Sequence, residues 1–300
     1  IRKREPAFYL LRDDNYTKIT EIFIRINQTG RKLQESEIAL AVGALKFPGL
    51  LMNWLDNMQK QNKDWRTSRA PRNSFFVNAL GSITSNTVKM EQFKHYLLQT
   101  DEKKLKQDLS KLESGIHYTY DFLDSSFSIN EKNNLKLIPN LSVLIMLVNY
   151  FAYTKGQLPQ KNSDLLKLWT FLAFHHSQYS GKNYGNITTD LRAINPDTIG
   201  TIQTWIKSIK DYNNTLCVQN VGVKINKGSL FTLFTALALN NAFDWWTGTS
   251  IKTMAKTEYH HIFPRKVLKG KYSESEINDP RNIAIVSKII NRKIGGREPK

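Results

Sequence analysis

EYHHIFPRKVLKGKYSESEINDPRNIAIVSKIINRKIGG, residues 258–296, is the stretch from which the rest of the chain is best read. Two histidines stand side by side at His260 and His261, and two asparagines follow at Asn282 and Asn291. Glu258 to Phe263 is β-competent and closes at Pro264. Arg281 to Ser287 is apolar and β-branched, which suits a second short strand. Lys288 to Ile294 then reads as a helix stopped by Gly295 and Gly296. Strand, loop, strand and helix in so few residues make a ββα unit. Such a unit buries too little to stand alone, so it must lean on the helix before it or bind a metal.

Phosphodiester hydrolysis is a chemistry that this arrangement can serve. It needs a base to deprotonate water, a divalent cation to stabilise developing charge, and basic groups to hold the backbone. Histidine titrates near neutrality, which fits the first role. Alternation along a strand sends His260 and His261 to opposite sides, so they take different roles, and Asn291 on the helix is placed to face one of them across the metal. Arg265, Lys266, Arg292, Lys293 and Arg297 surround the site with charge complementary to phosphate. From Ile251 to Lys300, twelve Lys or Arg stand against five acids, a local balance of +7. From the residues alone, a second reading stays open, in which these polar side chains only cap strands and turns.

Upstream, the pattern is helical. Ile19, Ile22, Phe23 and Ile26 share one face of a helix within Phe8 to Asn27, and Gly30 suits its C-terminal cap. A second helix is expected after Leu33, with Gln34 at the N-cap and Glu37 in the first turn. By periodicity the two form a helical hairpin. Residues 51–130 show weaker helical periods broken at Pro71, Gly81 and Gly115, with one or two helices between Met90 and Phe127. Leu137 to Tyr153 reads as a central buried helix, Leu165 to Phe174 as another, and Thr188 to Ile194 as a short one. His175 and His176 read as a helix terminus where a charged ring favours the dipole, not as a metal site, because adjacent residues cannot share a helical face. Val221 to Ile225 is a short strand or linker. Leu230 to Trp246 is the most apolar helix, with Trp245 and Trp246 as packing residues. The fold class expected is mainly α, a helical body with a small C-terminal ββα unit.

Composition narrows the setting. The chain has 300 residues, 40% of them apolar and 11% aromatic, enough for a sizeable core and against general disorder. Forty-three Lys and Arg against 26 Asp and Glu give +17, which makes a polyanion the first partner to consider. The single cysteine, Cys217, leaves no disulfide framework or cysteine-rich zinc site and fits a reducing cytoplasm. The longest apolar run is too short to span a bilayer, and the basic N-terminus lacks a signal core, so no membrane partner is expected. Beginning at Ile1, the chain reads as a piece of something longer.

HHI-F-P, followed by Asn282 twenty-one residues after His261 and Asn291 nine further on, resembles the HNH nuclease signature. More narrowly, it is similar to the HNH domain of GmrSD-type, modification-dependent (type IV) restriction endonucleases. The resemblance implies a ββα-metal unit in which His261 is the general base, His260 and Asn291 hold a divalent ion, Mg2+ or Mn2+, and Asn282 steadies the loop and the base. At the other end, EIFIRINQTGRKLQESEIALA is similar to a stretch of the ParB/sulfiredoxin-like nucleotide-hydrolysing domain of the same family, with Arg25, Asn27 and Gly30 on its nucleotide-binding pattern. The family's upstream nucleotide motif has no counterpart in this chain, which speaks against NTP binding by it. Residues 180–194 are similar to the family's connecting region. The organisation implied is a remnant of the ParB/sulfiredoxin-like domain over 1–50, a helical middle domain over 51–225 and an HNH nuclease domain over 226–300, cut short at Lys300. The function implied is DNA endonuclease activity in restriction of modified foreign DNA. The partners are DNA and either a second copy of the chain or a missing nucleotide-hydrolysing portion. The alternative is a non-catalytic nucleic-acid-binding or regulatory scaffold with a degenerate site.

Overall fold

The computed structural model describes residues 34–61, 72–129, 137–176, 178–179, 184–194, 198–209, 227–254 and 257–295, with 18, 19 and 22. The expectations for Arg25, Asn27, Gly30, Cys217, Val221 to Ile225, Gly296 and Arg297 lie outside the described residues. So does most of the Phe8–Asn27 helix.

Within the described residues the molecule is mainly helical, with one two-stranded sheet near its C-terminal end. The helices are α1 (Glu35–Lys46), α2 (Leu50–Gln61), α3 (Arg72–Ser85), α4 (Met90–Gln99), α5 (Glu102–Phe127), α6 (Leu141–Thr154), α7 (Gln160–His175), α8 (Tyr184–Arg192), α9 (Thr198–Lys207) and α10 (Lys227–Leu239). As expected, α1 starts at Gln34, whose backbone N–H donates to Glu37 at 2.7 Å. Asp101 divides α4 from α5 by accepting from the Lys104 N–H at 2.7 Å. The central helix α6 begins at Asn140, which caps Ser142 at 2.7 Å. Every residue of α6 from Val143 to Phe151 is buried, including Asn149, which donates to Ser82 on α3 and to the Ile145 carbonyl. A buried amide satisfied in this way fixes the rotation of α6 against α3.

Three expectations are corrected. Gly81 and Gly115 do not break helices; they lie inside α3 and α5. A Cβ on Gly115 would sit 2.5 Å from the Val148 carbonyl oxygen, so this glycine is what lets α5 and α6 pack backbone to backbone. The helix expected over Leu230 to Trp246 stops at Leu239, because Asn241 takes a left-handed φ of 55° and the chain turns, and α6 is more apolar than it. Residues 242–251 then double back, with Phe243 bridged to Ser250 and the Ile251 N–H donating to the Ala242 carbonyl. Trp245 and Trp246 are therefore not packing residues: they are 56% and 63% exposed.

His175 also differs from expectation. Its Nδ1 lies 2.8 Å from the Thr232 hydroxyl of α10, and its ring stacks on Phe171. Burial, with the neighbouring His176, pushes its pKa down, which favours a neutral ring over a charged one on the helix dipole.

One contiguous core runs from Ala39 on α1 to Ile285 in the sheet, with Trp169, Trp205, Tyr150 and Phe231 fully buried. The C-terminal unit meets this core through α10 and the short 3-10 turn Ile251–Thr253. That is how a unit with so little interior of its own is supported.

Candidate functional site

The unit consists of β1 (Thr257–His261), two short helices α11 (Arg265–Leu268) and α12 (Glu274–Ile277), β2 (Ile283–Ser287) and α13 (Lys288–Ile294). The two strands pair antiparallel, with His260 opposite Ala284 and His261 opposite Ile283. Ser287 caps α13 by accepting from the Ile290 N–H, and Gly295 ends it at a φ of 57°. The expected strand, loop, strand and helix are all present in that order.

Strand alternation separates the histidines. His260 is 6% exposed and faces α13, where its Nδ1 lies 2.8 Å from Asn291 Oδ1. The Asn291 Nδ2 donates to Glu258 Oε2 at 2.7 Å, and Glu258 shares the His260 face because it lies two residues earlier. That bond fixes the amide, since only the NH2 end can donate to a carboxylate. The amide oxygen then accepts from His260, which places a proton on Nδ1 of that ring. Glu258, His260 and Asn291 thus converge on the seam between β1 and α13.

His261 belongs to the other side. Its Nε2 lies 3.0 Å from Asn278 Oδ1, and the Asn278 Nδ2 donates to the Glu274 carbonyl at 2.8 Å and to its carboxylate at 3.2 Å. With the amide oriented by those bonds, His261 Nε2 carries hydrogen and a neutral ring keeps its lone pair on Nδ1. Among the described residues the two halves are joined through the backbone between His260 and His261, not by a side-chain hydrogen bond. The Asn282 side chain bonds elsewhere than His261: it accepts from the Phe263 N–H at 2.8 Å and donates to the Phe263 and Ile277 carbonyls at 3.2 and 2.9 Å. It therefore pins the end of β1 to the loop, and the His261 ring is hydrogen-bonded by Asn278 instead.

The expected phosphate ligands are unequal. Arg265 forms two bonds to Glu274, at 2.8 and 2.7 Å, and this guanidinium holds the Glu274 carboxyl below its ordinary pKa. Lys266, Arg292 and Lys293 are exposed on α11 and α13.

Two residues were missed by sequence reasoning. Glu258 was legible, because the alternation that separates the histidines also places it beside His260. Asn278 carried no such signal, since its role depends on the fold of the loop.

A carboxylate and an amide oxygen, the oxygen donors a hard divalent cation takes, lie at this seam beside an imidazole whose Nδ1 hydrogen is given to the amide. Among the described residues no three His, Cys, Asp or Glu side chains cluster to hold a metal. Also among them, no helix is long and apolar enough to cross a membrane. No protein-family model matches the chain, and no curated protein matches it significantly.

Proposed function

We propose that the chain is a metal-dependent DNA endonuclease of the HNH type, which hydrolyses phosphodiester bonds in restriction of modified foreign DNA in the cytoplasm. The observation that carries this reading is the division of labour within His260–His261. One ring is tied into a cluster with an amide oxygen and a carboxylate, and the other is held by an amide that leaves Nδ1 as its basic atom.

In this reading Glu258, His260 and Asn291 hold a Mg2+ or Mn2+ ion, which when bound supplies Lewis-acid stabilisation of the charge that grows on the phosphate. His261 Nδ1 takes the proton from the attacking water, and Asn278 keeps the ring turned so that this nitrogen, not Nε2, faces it. Asn282 holds the β1 end in place. Lys266, Arg292 and Lys293 steady the DNA backbone, and the overall charge of +17 favours its approach.

The test is nicking of modified and unmodified plasmid DNA with Mn2+ or Mg2+. His261→Ala is expected to lower the rate by about 10²- to 10⁴-fold, the range for loss of a general base. Equal nicking by both proteins would remove His261 from the role. Salt-sensitive binding with no divalent-dependent cleavage by either would favour the non-catalytic scaffold.

A further inference from the structure

Beside the His261 half of the site lies an open pocket of about 410 Å³ that none of the roles above uses. Its lining combines the apolar Phe263, Leu268 and Tyr272 with the charged Glu276, Asp279 and Arg281, and with Asn282. The volume is in the range of small-ligand sites. Phe263 and Tyr272 are 54% and 53% exposed, so two aromatic rings border the opening where solvent reaches them. Such exposure forfeits burial that the rings would gain in a core, and it leaves their surfaces available for stacking.

The pocket is firmly built. Asn282 ties both the N–H and the carbonyl of Phe263, and the Tyr272 N–H donates to the Leu268 carbonyl at 3.1 Å. Ser273 donates to Glu276 through its backbone and its hydroxyl, at 2.9 and 2.7 Å. It also adjoins the proposed base closely in the chain. Phe263 is two residues past His261, and Asp279 directly follows Asn278, the residue that holds the His261 ring.

The chemistry of the rim selects among ligands. Arg281 holds the Asp279 carboxyl below its ordinary pKa, and the Ser273 bonds do the same for Glu276. Asp279 and Arg281 pair through both carboxylate oxygens, which leaves the Glu276 carboxylate oxygens as the net negative charge of the lining, and these repel phosphate. They accept N–H groups instead, as acidic side chains do from the amino group of cytosine. A flat ring that stacks on aromatics and carries an amino group meets both requirements, whereas the single N–H of thymine sits between two carbonyl oxygens that a carboxylate repels.

We propose that this pocket receives a single unstacked nucleobase bearing an exocyclic amino group, adenine, cytosine or guanine and not thymine, next to the phosphate cleaved at His261. The inference rests on the nuclease reading and names a subsite for its substrate. Since a base inside a duplex cannot enter, the site takes single-stranded DNA or a base turned out of the helix.

The test is equilibrium binding of fluorescein-labelled oligo-dC, oligo-dA and oligo-dT to the full chain in EDTA, where no cleavage intervenes. Wild type is expected to bind oligo-dC and oligo-dA about tenfold or more tighter than oligo-dT. Tyr272→Ala is expected to weaken oligo-dC binding by about tenfold and to erase the preference, while Tyr272→Phe retains both. Thermal melts of the variants show whether each is folded. Equal binding of the three oligonucleotides by wild type, no binding at all, or a Tyr272→Ala protein that behaves as wild type would overturn the proposal. Metal-dependent nicking, assayed separately, reports on the nuclease reading: nicking without base preference sinks only the pocket, and base preference without nicking sinks only the nuclease.

Discussion

With His260 and Asn291 alone, the seam between β1 and α13 would present two neutral donors, a weak offer to a cation that gives up its water reluctantly. Glu258 adds the negative charge, and its bond to Asn291 keeps it aimed there. Glu258→Gln retains an oxygen that can accept from the Asn291 amide but removes the charge. The variant is expected to fold with its metal-free melting midpoint nearly unchanged and to lose about tenfold or more in Mn2+ affinity by isothermal titration. Unaltered affinity would exclude Glu258 as a donor. His260 carries a related requirement. Its Nδ1 hydrogen points at Asn291, so cation binding at that nitrogen must displace the hydrogen bond.

At the scale of elements, the two internal glycines make a ranked prediction. At Gly115 a new Cβ would lie 2.5 Å from the Val148 carbonyl and 3.0 Å from the Ala152 Cβ, atoms belonging to a helix that cannot move alone. At Gly81 it would meet Met90 Cε at 3.1 Å and Phe93 Cβ at 3.3 Å, and the methionine can swing aside. Alanine gains about 1 kcal/mol of helix propensity at either position. Gly115→Ala should nevertheless lose about 1–3 kcal/mol to overpacking and melt below Gly81→Ala, which thermal denaturation would show. These glycines also mark what sequence reading can reach. Apolar periodicity revealed the α6 core, and Gly295 marked the end of α13, because those signals are local. Gly115 reads as a breaker until the partner backbone is known, and α10 reads as too long because apolar residues continue past its stop at Asn240–Asn241. Glu274 and Asn278 act at the site only through a loop fold that no periodicity encodes.

At the scale of the whole molecule, the seam between α7 and α10 should make stability depend on pH. Gly228 lets α10 pass so close to the end of α7 that a Cβ would fall 2.2 Å from the His175 carbonyl. The His175 ring, hydrogen-bonded to Thr232, is half-buried there. Its pKa is lowered in the fold, so around and below the ordinary value of 6.5 the unfolded chain binds a proton that the folded chain resists. Stability is therefore present above that range and falls as pH drops through it. The melting midpoint should decrease from pH 7.5 to 5.5, and His175→Gln should flatten the slope; parallel curves for the two proteins would exclude this ring as the source. A single carboxylate also ties the turn after α10 to α13. One oxygen of buried Asp244 accepts from the Trp246 and Thr247 N–H groups, at 2.7 and 3.1 Å, and the other accepts from Ser287 N–H at 3.2 Å, where α13 begins. The exposed tryptophan turn and the start of the helix bearing Asn291 thus hang on a single buried carboxylate, which both lose together if it is removed.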